Sequence, residues 1–123
     1  FTDNWEEDAK RRDFTINALS MDLNGKIHDY FGGLEDIKNS LLKFVGIAEE
    51  RIKEDALRIL RFFRFASVLN FDLDNNSLVS CLRNGKLLES ISGERIYNET
   101  KKLITGNGVI KILELISKNN LLT

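Results

Sequence analysis

Along the chain the apolar positions repeat first at short, strand-like spacing and then at helical spacing, and the change falls near residue 46. Residues 1–12 are charged, and Asn4 or Thr2 is placed to cap a short helix that runs into Arg11 and Arg12. Residues 13–20 read as a helix leading into a strand. Two short alternating stretches then flank Asn24-Gly25, the strongest short hairpin signal. Gly32-Gly33 breaks the chain, residues 34–40 look helical, and residues 41–45 read as a third strand. From Ala48 to residue 69 there is no glycine and the apolar residues keep helical spacing, which predicts one helix. A polar loop follows at 72–76, with Asp74 or Asn75 as a cap. Residues 78–88 form a second helix interrupted near Asn84-Gly85. A third, opened by Ser92 or Gly93, runs to Ile104, although Ser92-x-x-Arg95 lacks the acidic residue of a capping box. Thr105 to Gly108 is a loop and residues 109–119 a fourth helix.

This pattern predicts an α+β, mostly α fold: a small β-hairpin region over 1–46 followed by a helical array over 47–123. Three short strands need a partner layer to bury a face, so the first piece calls for further structure on its N-terminal side. Composition agrees with the helical bias, since the 123 residues contain no proline. Hydrophobic residues at 42% and charged residues at 30% suit a soluble globular chain. The formal net charge of −1 makes bulk charge a poor basis for binding a polyanion, so any nucleic-acid role has to come from local basic clusters. A single cysteine, Cys81, excludes an internal disulfide and, far from the one histidine, His28, is a poor metal-ligand set. No signal peptide, lipidation motif or long apolar run is present, so no membrane partner is expected.

Three segments carry candidate chemistry. Arg11-Arg12-Asp13-Phe14-Thr15-Ile16-Asn17-Ala18-Leu19 sets two guanidiniums, a carboxylate and an amide close together. Guanidinium forks grip phosphate or carboxylate, and Asp with Asn can hold sugar hydroxyls. The plainer reading is a charged helix end beside an apolar segment. Asp29-Tyr30-Phe31-Gly32-Gly33-Leu34-Glu35-Asp36 holds paired glycines, which suit a sharp turn with positive φ better than a phosphate cradle. The most informative stretch is Arg51 to Phe65. On one continuous helix, steps of three residues drift by about 60°, so Asp55, Arg58, Arg61 and Arg64 fan across about half the circumference. Ala56, Ile59, Leu60, Phe63 and Ala66 gather on the core face. Two readings compete there: an amphipathic helix with an i,i+3 Asp–Arg pair, or a row of arginines facing a polyanionic ligand.

Taken together, these segments resemble class II tRNA nucleotidyltransferases and the related poly(A) polymerases. Arg11 to Leu19 resembles the family's motif B, and Asp29 to Asp36 is similar to motif C. Glu54-Asp55-Ala56-Leu57-Arg58 resembles motif D, and Ser92-Gly93-Glu94-Arg95-Ile96 the start of motif E. Order and spacing agree across roughly residues 1–105, and Arg51 to Phe65 is closer to CCA-adding enzymes of bacterial and mitochondrial type than to bacterial poly(A) polymerases. The resemblance implies that residues 1–46 are the end of a nucleotidyltransferase head and 47–123 a nucleotide- and RNA-binding neck and body.

By the same carry-over, Asp55 and Arg58 act as an amino-acid template for the incoming base. Arg12, Arg61 and Arg64 contact the nucleotide, and Asp13 and Asn17 hold the sugar or the local backbone. The implied substrates are CTP and ATP, the implied partner is the tRNA 3′ end, and the implied location is bacterial cytoplasm or mitochondrial matrix.

The family's catalytic head carries Gly-Gly-x-x-x-Arg-Asp and an Asp-x-Asp pair that holds Mg²⁺. Here Asp72-Leu73-Asp74 is the only match in spelling, and it falls in the loop after the motif D segment, where a cap or turn is expected. No catalytic or metal-binding residue is therefore assigned to this chain. It is expected to be inactive alone, with Mg²⁺ bound by a head supplied elsewhere, on the same or a separate chain. A poly(A) polymerase fragment and a non-catalytic RNA-binding or decayed helical module are the competing readings.

Overall fold

The computed structural model describes residues 5–119, with the side chain of Trp5 excepted; the caps expected at Thr2 and Asn4 lie outside the described residues. Helix α1 spans Trp5–Lys10, and a 3₁₀ turn follows at Thr15–Asn17. The expected helix over 13–20 is thus a single tight turn. The strands β1 (Ser20–Met21) and β2 (Ile27–His28) pair antiparallel around Asn24-Gly25, as the hairpin signal predicts. Helix α2 covers Gly33–Lys38. The Asp29 carboxylate caps it, accepting from the backbone N–H of Gly33 at 2.8 Å and of Leu34 at 3.1 Å. Gly32 has φ 80°, the left-handed conformation that glycine adopts without steric cost. Gly33 leaves no room for a Cβ against the Thr15 carbonyl, so the glycine pair shapes a turn and a close approach.

The stretch from Leu41 to Val45 is the spine of the molecule. Strand β3 (Leu41–Leu42) does not join the hairpin. It pairs in parallel with β4 (Asp72–Leu73), inside the segment expected to be a loop. Two-residue strands show no alternation, and a partner about thirty positions away leaves no local signal. Asp72 and Asp74 donate their N–H groups to the carbonyls of Ser40 and Leu42 at 2.8 and 2.9 Å. Just beyond, Thr15 N–H donates to Lys43 O and Val45 N–H to Asp13 O, both at 2.9 Å. One backbone segment therefore stitches the N-terminal part to the helices.

The predicted helix over 48–69 is two: α3 (Ala48–Glu54) and α4 (Arg58–Leu69), broken at Asp55, which is extended at φ −159° and ψ 107°. The Asp55 carboxylate accepts the N–H of Leu57 at 3.1 Å. A short carboxylate competing with the helix for backbone donors explains the break. Helix α5 (Asn75–Arg83) is capped by Asp74, and a 3₁₀ segment, Gly85–Ser90, follows it. Helix α6 (Gly93–Leu103) is capped by Ser92, and α7 spans Val109–Lys118.

α4 is central, packed on both α6 and α7. One core cluster contains Phe14, Leu42, Phe44, Ile59, Phe62, Phe63, Leu103 and Ile112, so apolar packing runs unbroken across residue 46. Phe14, Phe44 and Phe62 form an aromatic cluster, with Phe14 tilted against Phe44 at a centroid distance of 4.9 Å and Phe44 stacked on Phe62 at 5.3 Å. No helix among the described residues is long and apolar enough to cross a membrane.

Candidate functional site

A cleft of about 480 Å³ opens where the end of α1, the 13–17 segment, the α3–α4 break and the first turn of α6 meet. Arg11, Arg12, Asp13 and Asn17 line one side, Asp55, Leu57, Arg58 and Arg61 the other, and Arg95 closes the rim. Five arginines against two aspartates make the cleft electropositive in a chain that is nearly neutral overall.

Each charged group has a distinct setting. Asp13 is buried and fully engaged. Its Oδ1 accepts from Phe14 N–H at 2.8 Å and from the Asn17 amide at 3.1 Å. Its Oδ2 accepts from Arg61 Nε at 2.9 Å and Nη2 at 2.6 Å. Asp13 therefore orients Arg61 and Asn17 and has little capacity left for a ligand. Arg61 also lies over the Phe65 ring, 5.4 Å from its centroid. Arg12 is exposed and reaches back one turn to Asp8 at 3.2 Å, so it can swing to another anion at small cost.

Asp55 and Arg58 do not pair with each other; no such ion pair exists among the described residues. Arg58 is held by Glu54 at 2.6 Å and by the carbonyl of Arg51 at 3.0 Å, with a longer contact of 3.4 Å to the carbonyl of Arg11. Glu54 also takes Arg51, which is buried and donates to Lys10 O at 2.6 Å. Asp55 faces Arg95, whose Nη2 donates to its Oδ2 at 3.0 Å and its Oδ1 at 3.3 Å. The i,i+3 pair expected from spacing fails to form because Asp55 lies outside α4.

Six of the seven residues singled out in the sequence, Arg12, Asp13, Asn17, Asp55, Arg58 and Arg61, line this cleft. Arg64 does not. It lies two full steps of three beyond Arg58, about 120° around α4, and its Nε sits 2.8 Å from Glu99 of α6 with its guanidinium 4.4 Å from the Phe65 centroid. The row of four arginine and aspartate positions is therefore shorter than expected. Sequence reasoning missed Arg95 and Arg11 as lining residues. Arg95 was within view in the segment that resembles motif E, but nothing in its spacing ties it to Asp55, forty residues away.

The aspartates matched by spelling to Asp-x-Asp have other uses. Asp74 caps α5 and accepts from Ser77 N–H and Oγ at 3.0 and 2.9 Å, while Asp72 is exposed near Lys111.

The class follows from comparison with known proteins. The family described as "Poly A polymerase head domain" matches residues 1–43, and the one described as "Probable RNA and SrmB- binding site of polymerase A" matches residues 70–123. The chain thus belongs to the class II nucleotidyltransferase family of poly(A) polymerases and tRNA CCA-adding enzymes.

Within that family its likeness is to the CCA-adding members. It is 53% identical over 104 residues to the CCA-adding enzyme of Streptococcus gordonii, covering 85% of this chain and 26% of that protein. It is 47% identical over 119 residues to the human mitochondrial CCA tRNA nucleotidyltransferase 1, covering 94% of this chain and 27% of that protein. The crystal structure of the Bacillus stearothermophilus CCA-adding enzyme in complex with CTP superposes with a TM-score of 0.93 at 44% identity, over 98% of this chain and 31% of that one. The chain therefore spans between 26% and 31% of the length of these relatives.

Proposed function

We propose that this chain supplies the base-selecting pocket of a tRNA CCA-adding enzyme, with CTP and ATP as the nucleotides and a tRNA 3′ end as acceptor. The observation that carries the reading is that Asp55 and Arg58 stand at one cleft without neutralising each other.

The chemistry follows from the hydrogen-bond inventory. Cytosine presents an N4 amino donor beside its N3 acceptor, and adenine an N6 donor beside N1. A carboxylate accepts from the amino group and a guanidinium donates to the ring nitrogen. Uracil and guanine present a carbonyl and a ring N–H in those places, which sets donor against donor and acceptor against acceptor. Each unsatisfied group in a desolvated site costs about 1–3 kcal/mol. Arg61, locked by Asp13, and the exposed Arg12 are suited to phosphate oxygens. The likeness to a relative whose structure is named as a complex with CTP supports the nucleotide class. The match of residues 70–123 to an RNA-binding description supports the tRNA partner.

Phosphoryl transfer in this family uses Mg²⁺, and the donor set here does not fit that ion. Among the described residues no three histidine, cysteine or carboxylate groups gather in one place. Asp13 is committed to Arg61, and Asp55 already faces a cation in Arg95. No step is routed through a metal on this chain. Its own part is to hold and choose the base, and activation of the 3′-hydroxyl falls to a head with its own carboxylates, carried on the same or another chain. We place it in the bacterial cytoplasm or the mitochondrial matrix, a reading supported by likeness to bacterial and mitochondrial enzymes.

The test is nucleotide incorporation onto tRNA lacking its 3′ end by the full-length protein. Asp55→Ala and Arg58→Ala should each reduce the preference for CTP over UTP by about tenfold to a hundredfold; unchanged preference in both would end the template reading. Product length separates this reading from poly(A) addition, favoured by the head-domain description: three added nucleotides against a long adenosine tail.

A further inference from the structure

Resting on the proposed pocket, we infer that Arg51 is a positioning residue: from outside the cleft it pins the backbone beside Arg11 and Arg12, and so sets the phosphate-binding side of the cleft against the base-selecting side. Arg51 belongs to α3, is only 7% exposed and is not among the residues that line the cleft. Its Nη1 donates at 2.6 Å to the carbonyl of Lys10, the last residue of α1, and its Nη2 donates at 3.0 Å to Oε2 of Glu54. Its Nε makes no hydrogen bond, so these two terminal nitrogens carry the tie. A guanidinium on the last carbonyls of a helix satisfies an acceptor that the helix leaves open and suits the negative end of its dipole. Here the guanidinium comes from a helix forty-one positions away.

The tie is one half of a clamp. Glu54 divides its carboxylate, giving Oε2 to Arg51 and Oε1 to Arg58 at 2.6 Å. Arg58 in turn reaches the carbonyl of Arg11 at 3.4 Å. Two successive carbonyls, those of Lys10 and Arg11, are therefore held by two guanidiniums that share one carboxylate. On the far side, Asp13 is fixed through its carbonyl to Val45 N–H at 2.9 Å and through its side chain to Arg61. Arg11 and Arg12 lie between these two anchorages, and both line the cleft. Arg12 is exposed and paired with Asp8 of α1, so the backbone decides where its guanidinium can reach.

Stability alone does not account for an arginine at this place. A buried ion pair gains little over an apolar side chain of similar volume, and a buried N–H left unbonded costs free energy. What the guanidinium adds is direction: it joins the end of α1 to α3 at a fixed distance. Arg58 on the base-selecting side and Arg11 and Arg12 on the phosphate side then keep a set spacing. A nucleotide needs that spacing, because its base and its phosphates are separated by a sugar of fixed size. Arg51 thus bears on phosphate binding without reaching the cleft.

The test measures the affinities of CTP and CMP for the full-length protein by calorimetry, with Arg51→Met, Arg51→Lys, Arg12→Ala and Asp55→Ala, each with a melting curve. The ratio of the two affinities reads what the outer phosphates contribute, and the CMP affinity reads the base pocket. Arg51→Met should lower the CTP-to-CMP ratio about tenfold, the worth of one charge-assisted contact, and leave the CMP affinity nearly unchanged. Arg12→Ala should lower the ratio similarly, and adding it to Arg51→Met should lower it little further, since both act on one contact. Arg51→Lys should fall between, because one ammonium reaches only one of the two partners well; it is read in place of Arg51→Met if that variant does not fold. A ratio retained in the folded Arg51 variant while Arg12→Ala lowers it would overturn the positioning role and leave the pocket standing. CTP and CMP affinities falling together with the melting temperature in both Arg51 variants would make Arg51 a fold residue and refute the inference. A CMP affinity unchanged in Asp55→Ala would remove the base pocket itself, and this inference with it.

Discussion

At the scale of single residues, the cleft is organised by carboxylates that hold guanidiniums in chosen directions. Asp13 is the clearest case, with both oxygens saturated by Phe14, Asn17 and Arg61. Asp13→Ala should cost about 2 kcal/mol in denaturant unfolding, below the usual figure for breaking a buried pair because Arg61 can regain water. Its effect on nucleotide affinity should exceed that of Asn17→Ala, since Arg61 loses its direction as well. Legibility in the sequence was uneven at this scale. Asp13, Asn17, Asp55, Arg58 and Arg61 could be picked out because each belongs to a short local motif. The partner of each could not, because Asp13 meets Arg61 across forty-eight positions and Arg95 meets Asp55 across forty. Helical spacing groups Arg64 with the other arginines and the family resemblance implies the same role for it, but neither reads the buried Glu99 that lies 2.8 Å from it.

Among the secondary-structure elements, the hairpin, α2 and the caps of α5 and α6 follow from local chemistry. In the hairpin, Asp22 accepts the N–H groups of Lys26 and Asn24 and meets His28 at 3.1 Å. The Lys26 hydrogen bond, then the His28 contact, hold its carboxyl below the ordinary range. A depressed folded value means that the turn gains stability above the ordinary carboxylate pKa and loses it as pH falls through the folded one. The Asp22 carboxyl carbon followed by NMR should therefore keep its ionised shift as pH falls through the ordinary carboxylate range near about 4 and change only below it. Tertiary contact overrides local signals elsewhere, as where α4, α7 and the loop between α6 and α7 meet. There Ser67 Oγ donates to Leu103 O at 2.7 Å, Gly108 N–H donates to Ser67 O at 2.9 Å, and a Cβ on Gly106 would collide with Ser67. Gly106→Ala should lower stability by about 1–3 kcal/mol, read as a fall in melting temperature, by forcing α7 away from α4.

For the molecule as a whole, one core joins the hairpin side to the helices, so the proposed division at residue 46 is one of function, with head on one side and neck on the other, and not of packing. The chain alone should incorporate no CMP into tRNA lacking its end, and adding a head with its metal-binding carboxylates should restore incorporation; activity of the chain by itself would refute that division of labour. What the sequence by itself determined was the mostly helical class, the hairpin, the caps of α5 and α6 and the family motifs, because each depends on residues within one or two turns of one another. Only the tertiary structure decided that α3 and α4 part at Asp55, that β3 pairs with β4, that Arg64 belongs to Glu99, and that Arg95 stands over Asp55. These depend on which distant groups folding brings within hydrogen-bond reach, where a carboxylate takes the best donor available in space, whatever its distance along the chain.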